Sequence, residues 1–420
     1  MTPAAGAAWL AVSPAPSTLP NISFPVVGAW MLGAMFLAHI VFGSFSMGAV
    51  LISPAFELVG QLRGDARLDR YAHGVASTNL KVFSLGATLG AFAVFMLTGL
   101  YPNQFISLAI LFFKVLLIAF ISWFLTIALL FVYTYKWEAV IDRMGRRFHI
   151  GLGFLGGASE QLFLFLIVGL DSFLLTPNDG RDFGALFNPS FWEELGHRFS
   201  GNLSWSSLLI GAVMIGYWAT HRDEEDRAYY AWAARVSLLV GFLLLIPQAI
   251  GGFAFAEAVR HASPGAFRYS FAGPLAWLWQ LQMGLFGLLL VGGNLYFWQS
   301  RGSWLSGPLT GAVALLAVGT LLPSSTYPGT SFWLRYLWLA LALALSLVHW
   351  SLWGLRRRTR PDPTRLGRWA VVVTGVAAVA IFLLMGVIRE TARGPYAIYG
   401  KMTQAQAQNL FQPPHRGFYP

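Results

Sequence analysis

The chain has 420 residues, of which 56% are hydrophobic, 15% aromatic and only 11% charged, and it contains no cysteine. The apolar excess predicts an all-α, polytopic transmembrane helical bundle, because long apolar runs exclude the short alternating segments of a membrane β-barrel. The lack of cysteine excludes disulfides, thiolate metal sites, iron–sulfur clusters and covalently attached c-type haem, and the net charge of +10 indicates basic cytoplasmic loops and not nucleic-acid binding.

The first predicted elements are an exposed N-terminal tail and a series of apolar spans. Residues 1–25 lack a basic n-region, so they predict a tail and not a cleaved signal peptide. About ten spans follow, and most have the ~20 residues that cross ~30 Å of hydrocarbon. The spans are residues 26–52, 80–100, 105–133, 150–175, 203–220, 232–255, 273–298, 308–322, 333–353 and 369–390.

The loops between these spans predict the orientation of the chain. Four loops on one side carry most of the lysine and arginine residues, which places that side in the cytoplasm and both termini on the outer, periplasmic side. The predicted segments are an N-terminal tail (1–25), a helical bundle (26–300), an inserted hairpin with a basic loop (301–368), a final span (369–398) and an exposed C-terminal tail (399–420).

The first span contains His39, in the segment MFLAHIVFGSFSMGAV. An ionisable side chain inside a membrane carries a desolvation cost of roughly a few kcal/mol unless it is bound. Gly43 and Gly48 follow at i+4 and i+9 and thin the helix, which favours a bulky planar ligand such as haem beside the imidazole. A hydrogen bond to another helix is the alternative interpretation.

Other ionisable residues lie within or near the later spans, and their roles stay open. The segment GLGFLGG at 151–157 matches a dinucleotide-binding pattern, but no strand precedes it, so it indicates close helix packing. The unassigned residues are Lys114 in the third span, Glu160 and Asp171 in the fourth, His349 near the inner end of the ninth, and His73 near the cytoplasmic side.

Two pairs of residues lie near the predicted outer surface. His197 just precedes the fifth span in FNPSFWEELGHRF, and Met283 lies about ten residues into the seventh. Histidine and methionine form a known axial pair for a low-spin haem, although a methionine in an apolar span is more often core packing. Glu390 and Arg393 end the last span in IRETARGPY, where they either reach for water or bind a ligand.

Taken together, these motifs resemble the large subunit, subunit I, of the cytochrome bd-type quinol oxidases. The resemblance covers roughly residues 26 to 300 and resumes at about 369, with the motifs in the order of the family. The matching motifs are His39 followed nine residues later by Gly48, Phe187-Asn188-Pro189 with His197 eight residues after the proline, Met283 before a glycine-bearing apolar run, and Glu390-x-x-Arg393-x-Pro395-Tyr396.

The resemblance implies a set of haem contacts. His197 and Met283 would ligate the iron of one haem b. His39 and Glu390 would each be an axial ligand in a neighbouring two-haem site, which gives two or three haems in total. Arg393 would bind a haem propionate or carboxylate through its fork of donors. The resemblance also implies a multi-pass protein of the bacterial inner membrane that works with other membrane subunits of a redox complex.

The sequence also departs from the family in ways that bear on function. The third span of the family carries two carboxylates for protons and oxygen reduction, whereas FISLAILFFKVLLIAF has none. We therefore predict a haem-binding cytochrome b subunit, part of an oxidoreductase, that transfers electrons in a respiratory complex. Its redox partner would be quinone, quinol or a c-type cytochrome.

Two alternatives remain open from the sequence. The first is a divergent bd-type terminal oxidase that reduces oxygen, possesses haem d, and uses Glu160 and Asp171 in place of the missing carboxylates. The second is a membrane transporter or structural subunit without cofactors, in which the histidines and Met283 are packing residues.

Overall fold

The computed structural model describes residues 25–273, 275–301, 304–322, 331–354 and 363–409. Except for Pro25, the predicted N-terminal tail lies outside the described residues, as does most of the basic loop before the last span. The first eight helices are α1 (Pro25–Arg63), α2 (Ala66–Leu100), α3 (Pro102–Leu111), α4 (Phe113–Tyr135), α5 (Trp137–Met144), α6 (Arg146–Leu175), α7 (Phe183–Leu186) and α8 (Phe191–Thr220).

The second half of the chain adds seven helices and one small sheet to the described structure. The two strands pair antiparallel. These elements are α9 (Glu224–Ala262), α10 (Pro264–Ala272), α11 (Ala276–Arg301), α12 (Ser306–Leu321), α13 (Ser331–Gly354), α14 (Arg365–Ala392), β1 (Tyr396–Ile398), β2 (Met402–Thr403) and α15 (Gln404–Gln408).

Nine helices of the described chain are long and apolar enough to cross a membrane. The shorter α12 is also apolar, and its 16 residues extend about 24 Å, less than the ~30 Å of a hydrocarbon core. The prediction of an almost wholly helical, multi-span membrane protein is confirmed. The predicted count of about ten corresponds to these nine helices together with α12.

The predicted third span is broken into α3 and α4 at Phe112. A residue far along the chain stabilises the break. The side chain of Asp182 accepts a hydrogen bond from the backbone N–H of Lys114 (2.9 Å), and its own N–H donates to the carbonyl of Leu111 (2.8 Å). The polar groups that the break leaves free are therefore satisfied by the loop before α7.

A small residue lets α1 and α8 approach each other closely. A Cβ at Gly48 would overlap the carbonyl of Asn202 and the hydroxyl of Ser206 on α8. Gly48 therefore brings α1 against α8, and it does not form the space beside His39 that its spacing predicts. Gly43 does lie at the imidazole, since a Cβ there would be 3.8 Å from Cε1 of His39.

Residues 399–409 fold back onto the bundle, in contrast to the predicted exposed C-terminal tail, and residues 410–420 lie outside the described chain. Met402 and Ala407 are fully buried. Asn103 of α3 donates a hydrogen bond to the carbonyl of Gln406 (2.7 Å). Lys401 binds Asp179 at 2.5 Å, which lowers the pKa of that carboxyl. This segment covers the adjacent ends of α3 and α6.

Candidate functional site

The main cavity of interest lies between α1, α8, α9, α11 and α14, near the start of α8 and the end of α14. Its empty space, counted to include the open side, is about 860 Å³. The enclosed part is only about 90 Å³, below the ~300–1,000 Å³ that is usual for ligand pockets, so a bulky ligand would require the lining side chains to move. Its lining is mostly apolar, and it includes Leu37, His197, Arg198, Gln248, Met385 and Arg389.

His197 of α8 is buried. One of its ring nitrogens forms a hydrogen bond, and the other contacts no proton donor in the described structure. Nδ1 is 3.0 Å from the backbone carbonyl of Gln248 on α9. A carbonyl oxygen only accepts, so Nδ1 carries the proton and Nε2 of the neutral ring keeps its lone pair. Nε2 faces the thioether sulfur of Met385 at 3.2 Å. The ring has room because a Cβ at Gly252 would be only 3.0 Å from its Cε1.

His39 of α1 is held in the same way. Its Nδ1 is 2.8 Å from the backbone carbonyl of Gly86 on α2, which again leaves Nε2 as the lone pair. Nε2 has no hydrogen-bond partner in the described part of the chain. Gly90 is required beside the ring, because a Cβ there would be 2.6 Å from Cε1 and 2.8 Å from Nδ1 of His39.

Two other histidines form hydrogen bonds through both ring nitrogens and stabilise the fold. His349 contacts Asn294 Oδ1 at 2.7 Å and Ser306 Oγ at 2.9 Å. His149 contacts the Glu57 carboxylate at 2.8 Å and the carbonyl of Tyr133 at 3.0 Å. Neither imidazole has a nitrogen left for a ligand.

His73 is exposed and stacks on Trp137, with 4.7 Å between the ring centroids. Lys114 is an exposed residue in the first turn of α4. Its ammonium group is 3.7 Å from Asp182, so it belongs to the helix break described above. Neither residue lines the main cavity as the structure describes it.

Met283 is buried in α11, with 2% of its surface exposed, among the core residues of the bundle. Its helix lines the cavity through Phe286 and Leu289, and Met283 itself is not among the described lining residues. The thioether that contacts His197 is that of Met385 on α14. No direct contact in the described structure supports the predicted pairing of His197 with Met283, so this pairing stays a prediction.

Glu390 and Arg393 bind each other at the end of α14. The Arg393 side chain is buried, 7% exposed, and it donates to the Glu390 carboxylate and to the carbonyl of Ala397. The Glu390 side chain is 60% exposed. Arg393 therefore holds the end of α14 and the following strand, and its guanidinium already has two acceptors.

His39 and Glu390 lie at different depths. Leu37 of α1 packs directly against Gly386 of α14. The two helices run in opposite directions, so six residues of rise, about 9 Å, separate His39 from Glu390 along the axis. The two side chains can therefore bind two neighbouring ligands. They lie too far apart along the axis to bind the same atom.

Four charged residues meet beside the cavity, where α6 and α14 end and α8 begins. Arg198 and Arg389 both bind the Asp171 carboxylate, and both also bind Glu194, each at 3.0 Å. The cluster is neutral in sum. Sequence reasoning missed Arg198, Arg389 and Glu194, although the i, i+4 spacing of Glu194 and Arg198 is a recognisable ion-pair signal.

The two carboxylates of α6 differ in their surroundings. Asp171 is held by the two arginines, and Arg389 also donates to its backbone carbonyl at 2.5 Å. Glu160 is 3% exposed, and its Oε2 has no hydrogen-bond partner in the described structure. A buried carboxylate with one unpartnered oxygen is costly, so Glu160 is the better candidate for a functional acid.

The comparison with known families decides the assignment. The family model described as cytochrome bd terminal oxidase subunit I matches residues 12–267. The chain belongs to this family. Membership makes it a haem-binding membrane subunit of the quinol oxidase type, in a family of the bacterial cytoplasmic membrane that works with quinol and other membrane subunits. The resemblance seen in the sequence motifs is confirmed.

Solved structures give the same fold for this bd family member. The structure of bd oxidase from Geobacillus thermodenitrificans superposes with a TM-score of 0.55 at 15% sequence identity, covering 88% of this chain and 99% of that chain. At this identity the likeness shows the fold alone. A search of curated proteins found no match.

The residues present fit haem, which this family binds. His39 and His197 each offer a neutral imidazole nitrogen as a metal ligand. Glycines clear the space beside both rings. Arg198 and Arg389 at one end of the cavity could bind a porphyrin carboxylate in exchange for Asp171 or Glu194.

Proposed function

We propose that this bd family member is a b-type cytochrome subunit that transfers electrons in a respiratory complex. The observation that carries the proposal is the buried imidazole of His197, which lines the cavity with Nδ1 bound to the carbonyl of Gln248 and with Nε2 left as a lone pair. The redox partners would be quinol or a c-type cytochrome, together with other membrane subunits. Both termini would lie on the periplasmic side, as the basic loops predict.

Each proposed ligand has a defined task. His197, with a methionine thioether, would hold one haem b, and the sequence motif assigns Met283 to that second position. His39 and Glu390 would hold the haems of a neighbouring site, which gives two or three haems per chain. Arg393 would bind an anionic haem substituent once it exchanges its bond with Glu390. A bound haem supplies a one-electron redox centre.

Electron transfer is favoured over oxygen reduction because of what α3 and α4 lack. Residues 102–135 contain no aspartate or glutamate. Reducing oxygen consumes protons, and a dry interior needs titratable groups to deliver them. Passing an electron between haems and a partner at the membrane surface needs no such path.

A second candidate function is supported by Glu160. Its buried carboxylate, with one oxygen unpartnered in the described residues, could carry protons in a divergent oxidase that contains haem d. Asp171 is a weaker candidate for that role, because two arginines hold it as an anion.

Purified complex expressed with ample haem tests both functions. A pyridine haemochrome assay measures haem type and number, and stopped-flow mixing with a short-chain quinol or reduced cytochrome c measures haem reduction. The proposal expects two or three haems b, fast reduction by one donor and no oxygen uptake. Oxygen uptake with quinol that is lost in Glu160→Gln would favour the oxidase. Absence of haem would contradict both and favour a cofactor-free subunit.

A further inference from the structure

A fully buried pair of ionisable residues, Glu57 of α1 and His149 of α6, lies at the end of the bundle that the basic loops assign to the cytoplasm. Glu57 is about five helical turns, or 27 Å, from His39 on the same helix, so the pair is remote from the candidate haem site. Tyr133 of α4 donates its hydroxyl proton to Glu57 at 2.9 Å. The pair therefore joins three helices, and its burial requires a defined arrangement of protons.

The contacts of His149 require one proton more than a neutral imidazole and an ionised carboxylate provide. Nδ1 is 2.8 Å from the Glu57 carboxylate, and Nε2 is 3.0 Å from the backbone carbonyl of Tyr133. The carbonyl only accepts, so Nε2 carries a proton, and a neutral ring would then present the lone pair of Nδ1 to the carboxylate. One further proton, on Nδ1 or on the facing oxygen of Glu57, turns this repulsive contact into a hydrogen bond.

The surroundings of the pair favour retention of this proton. The His149 ring stacks on Tyr133, with 4.5 Å between the ring centroids, and lies against Trp137 at 4.3 Å. An aromatic face attracts a cation, which stabilises a charged imidazole. Ser53 lies 3.1 Å from the Tyr133 hydroxyl and donates to the carbonyl of Ala72 on α2 at 2.8 Å, so the hydrogen bonds continue into a fourth helix.

Asp69 of α2 lies between the pair and the surface. A Cβ at Gly60, about one turn beyond Glu57 on α1, would be 2.7 Å from Oδ1 of Asp69. This buried oxygen has no hydrogen-bond partner in the described chain, while the other oxygen binds the partly exposed Arg146. The exposed His73 is the other titratable side chain at this opening. A carboxylate in this position can pass a proton between water and the buried pair.

We propose that Glu57 and His149 form a proton-binding site, which takes one proton from the cytoplasm by way of Asp69 and ties α1 to α6 while it holds that proton. Loss of the proton leaves two acceptors facing each other inside the bundle. The contact between the two helices therefore weakens as the cytoplasm becomes alkaline. The site is independent of haem binding, since none of its residues contacts the candidate haem ligands.

Glu57→Gln tests the site, because glutamine reproduces the protonated pair without a proton to lose. Its amide N–H donates to Nδ1 of His149, and its carbonyl accepts from Tyr133. In the unfolded chain above about pH 7.5, Glu57 is ionised and His149 is neutral, so the folded wild type binds one proton more than the unfolded chain. The folding equilibrium constant of the wild type then falls about tenfold per pH unit until the folded pair loses its proton. Folding of Glu57→Gln involves no such proton.

Unfolding of the purified full chain by dodecyl sulfate in mixed micelles, from about pH 7.5 to 9, measures this difference. We expect the wild type to lose about tenfold per pH unit in its folding constant relative to Glu57→Gln. His73→Gln, which changes the exposed neighbour, should follow the wild type. If Glu57→Gln does not accumulate, His149→Gln replaces it, since it also removes the shared proton.

Three results would overturn the proposal. They are a flat wild-type curve, a glutamine variant whose curve runs parallel to that of the wild type, and a His73→Gln variant that loses the pH dependence. Haem content measured on the same samples should be equal in the wild type and the variants, so a failure of the proposed haem function is recognised separately.

Discussion

Replacing Gly90 with alanine should push the His39 imidazole out of the position in which it can bind a ligand, without disturbing the rest of the bundle. The new Cβ would be 2.6 Å from Cε1 and 2.8 Å from Nδ1 of His39, whereas ordinary contacts are 3.4–4 Å. The imidazole must therefore move by about 1 Å, which breaks its 2.8 Å hydrogen bond with the carbonyl of Gly86.

The size of the effect follows from three contributions. Overpacking costs roughly 1–3 kcal/mol, and the lost hydrogen bond adds roughly 1 kcal/mol. Alanine returns roughly 0.5–1 kcal/mol through its better helix propensity. The net cost of keeping His39 in its binding position is about 2 kcal/mol, which weakens haem affinity at this site about 30-fold.

Gly99→Ala in the same helix is the matched control, since a Cβ there meets nothing within 4 Å. Haem per chain is measured by pyridine haemochrome after detergent purification and dilution. Gly90→Ala should retain less haem at the His39 site after dilution than the wild type and as much at the His197 site, and Gly99→Ala should match the wild type. Equal haem content in the two variants would refute the reasoning.

Three further substitutions test the roles of buried side chains. Arg389→Ala leaves two carboxylates facing one guanidinium and should lower stability by roughly 3–5 kcal/mol in thermal unfolding in detergent, whereas the surface-pair variant Arg70→Ala should change it by less than about 1 kcal/mol; similar midpoints would contradict this. His349→Leu should lower the unfolding midpoint but keep every haem, and haem loss would show that His349 is a ligand. Met402→Ala should cost roughly 2–5 kcal/mol in the same unfolding assay, and an unchanged midpoint would mean that the C-terminal segment is not packed.

The sequence predicted the helical architecture well because membrane spans depend on apolar length alone. It could not predict the break at Phe112, since no proline or glycine marks it. The break depends on Asp182, almost seventy residues away, which binds backbone groups on both of its sides. The C-terminal hairpin was also missed, because Met402 and Ala407 are buried only by contact with the ends of other helices.

The candidate site was predicted in part. Motif order predicts His39 and His197 as ligands. The structure adds that the carbonyls of Gly86 and Gln248 on neighbouring helices bind one nitrogen of each ring, which leaves the other nitrogen with its lone pair. Arg389 was missed although it adjoins Glu390, because only the tertiary structure turns it toward the cavity. The sequence motif assigns Met283 to His197, and it could not show that the sulfur in contact with His197 is that of Met385.

The central claim is that imidazoles with one free nitrogen hold haem in this chain. The most direct test is the haem content and reduced-minus-oxidised spectrum of purified wild type beside His197→Ala, with His349→Ala as the control. The account predicts haem b in the wild type and in the control, and loss of one low-spin haem in His197→Ala. A wild type without haem, or a His197→Ala variant with an unchanged spectrum, would contradict it.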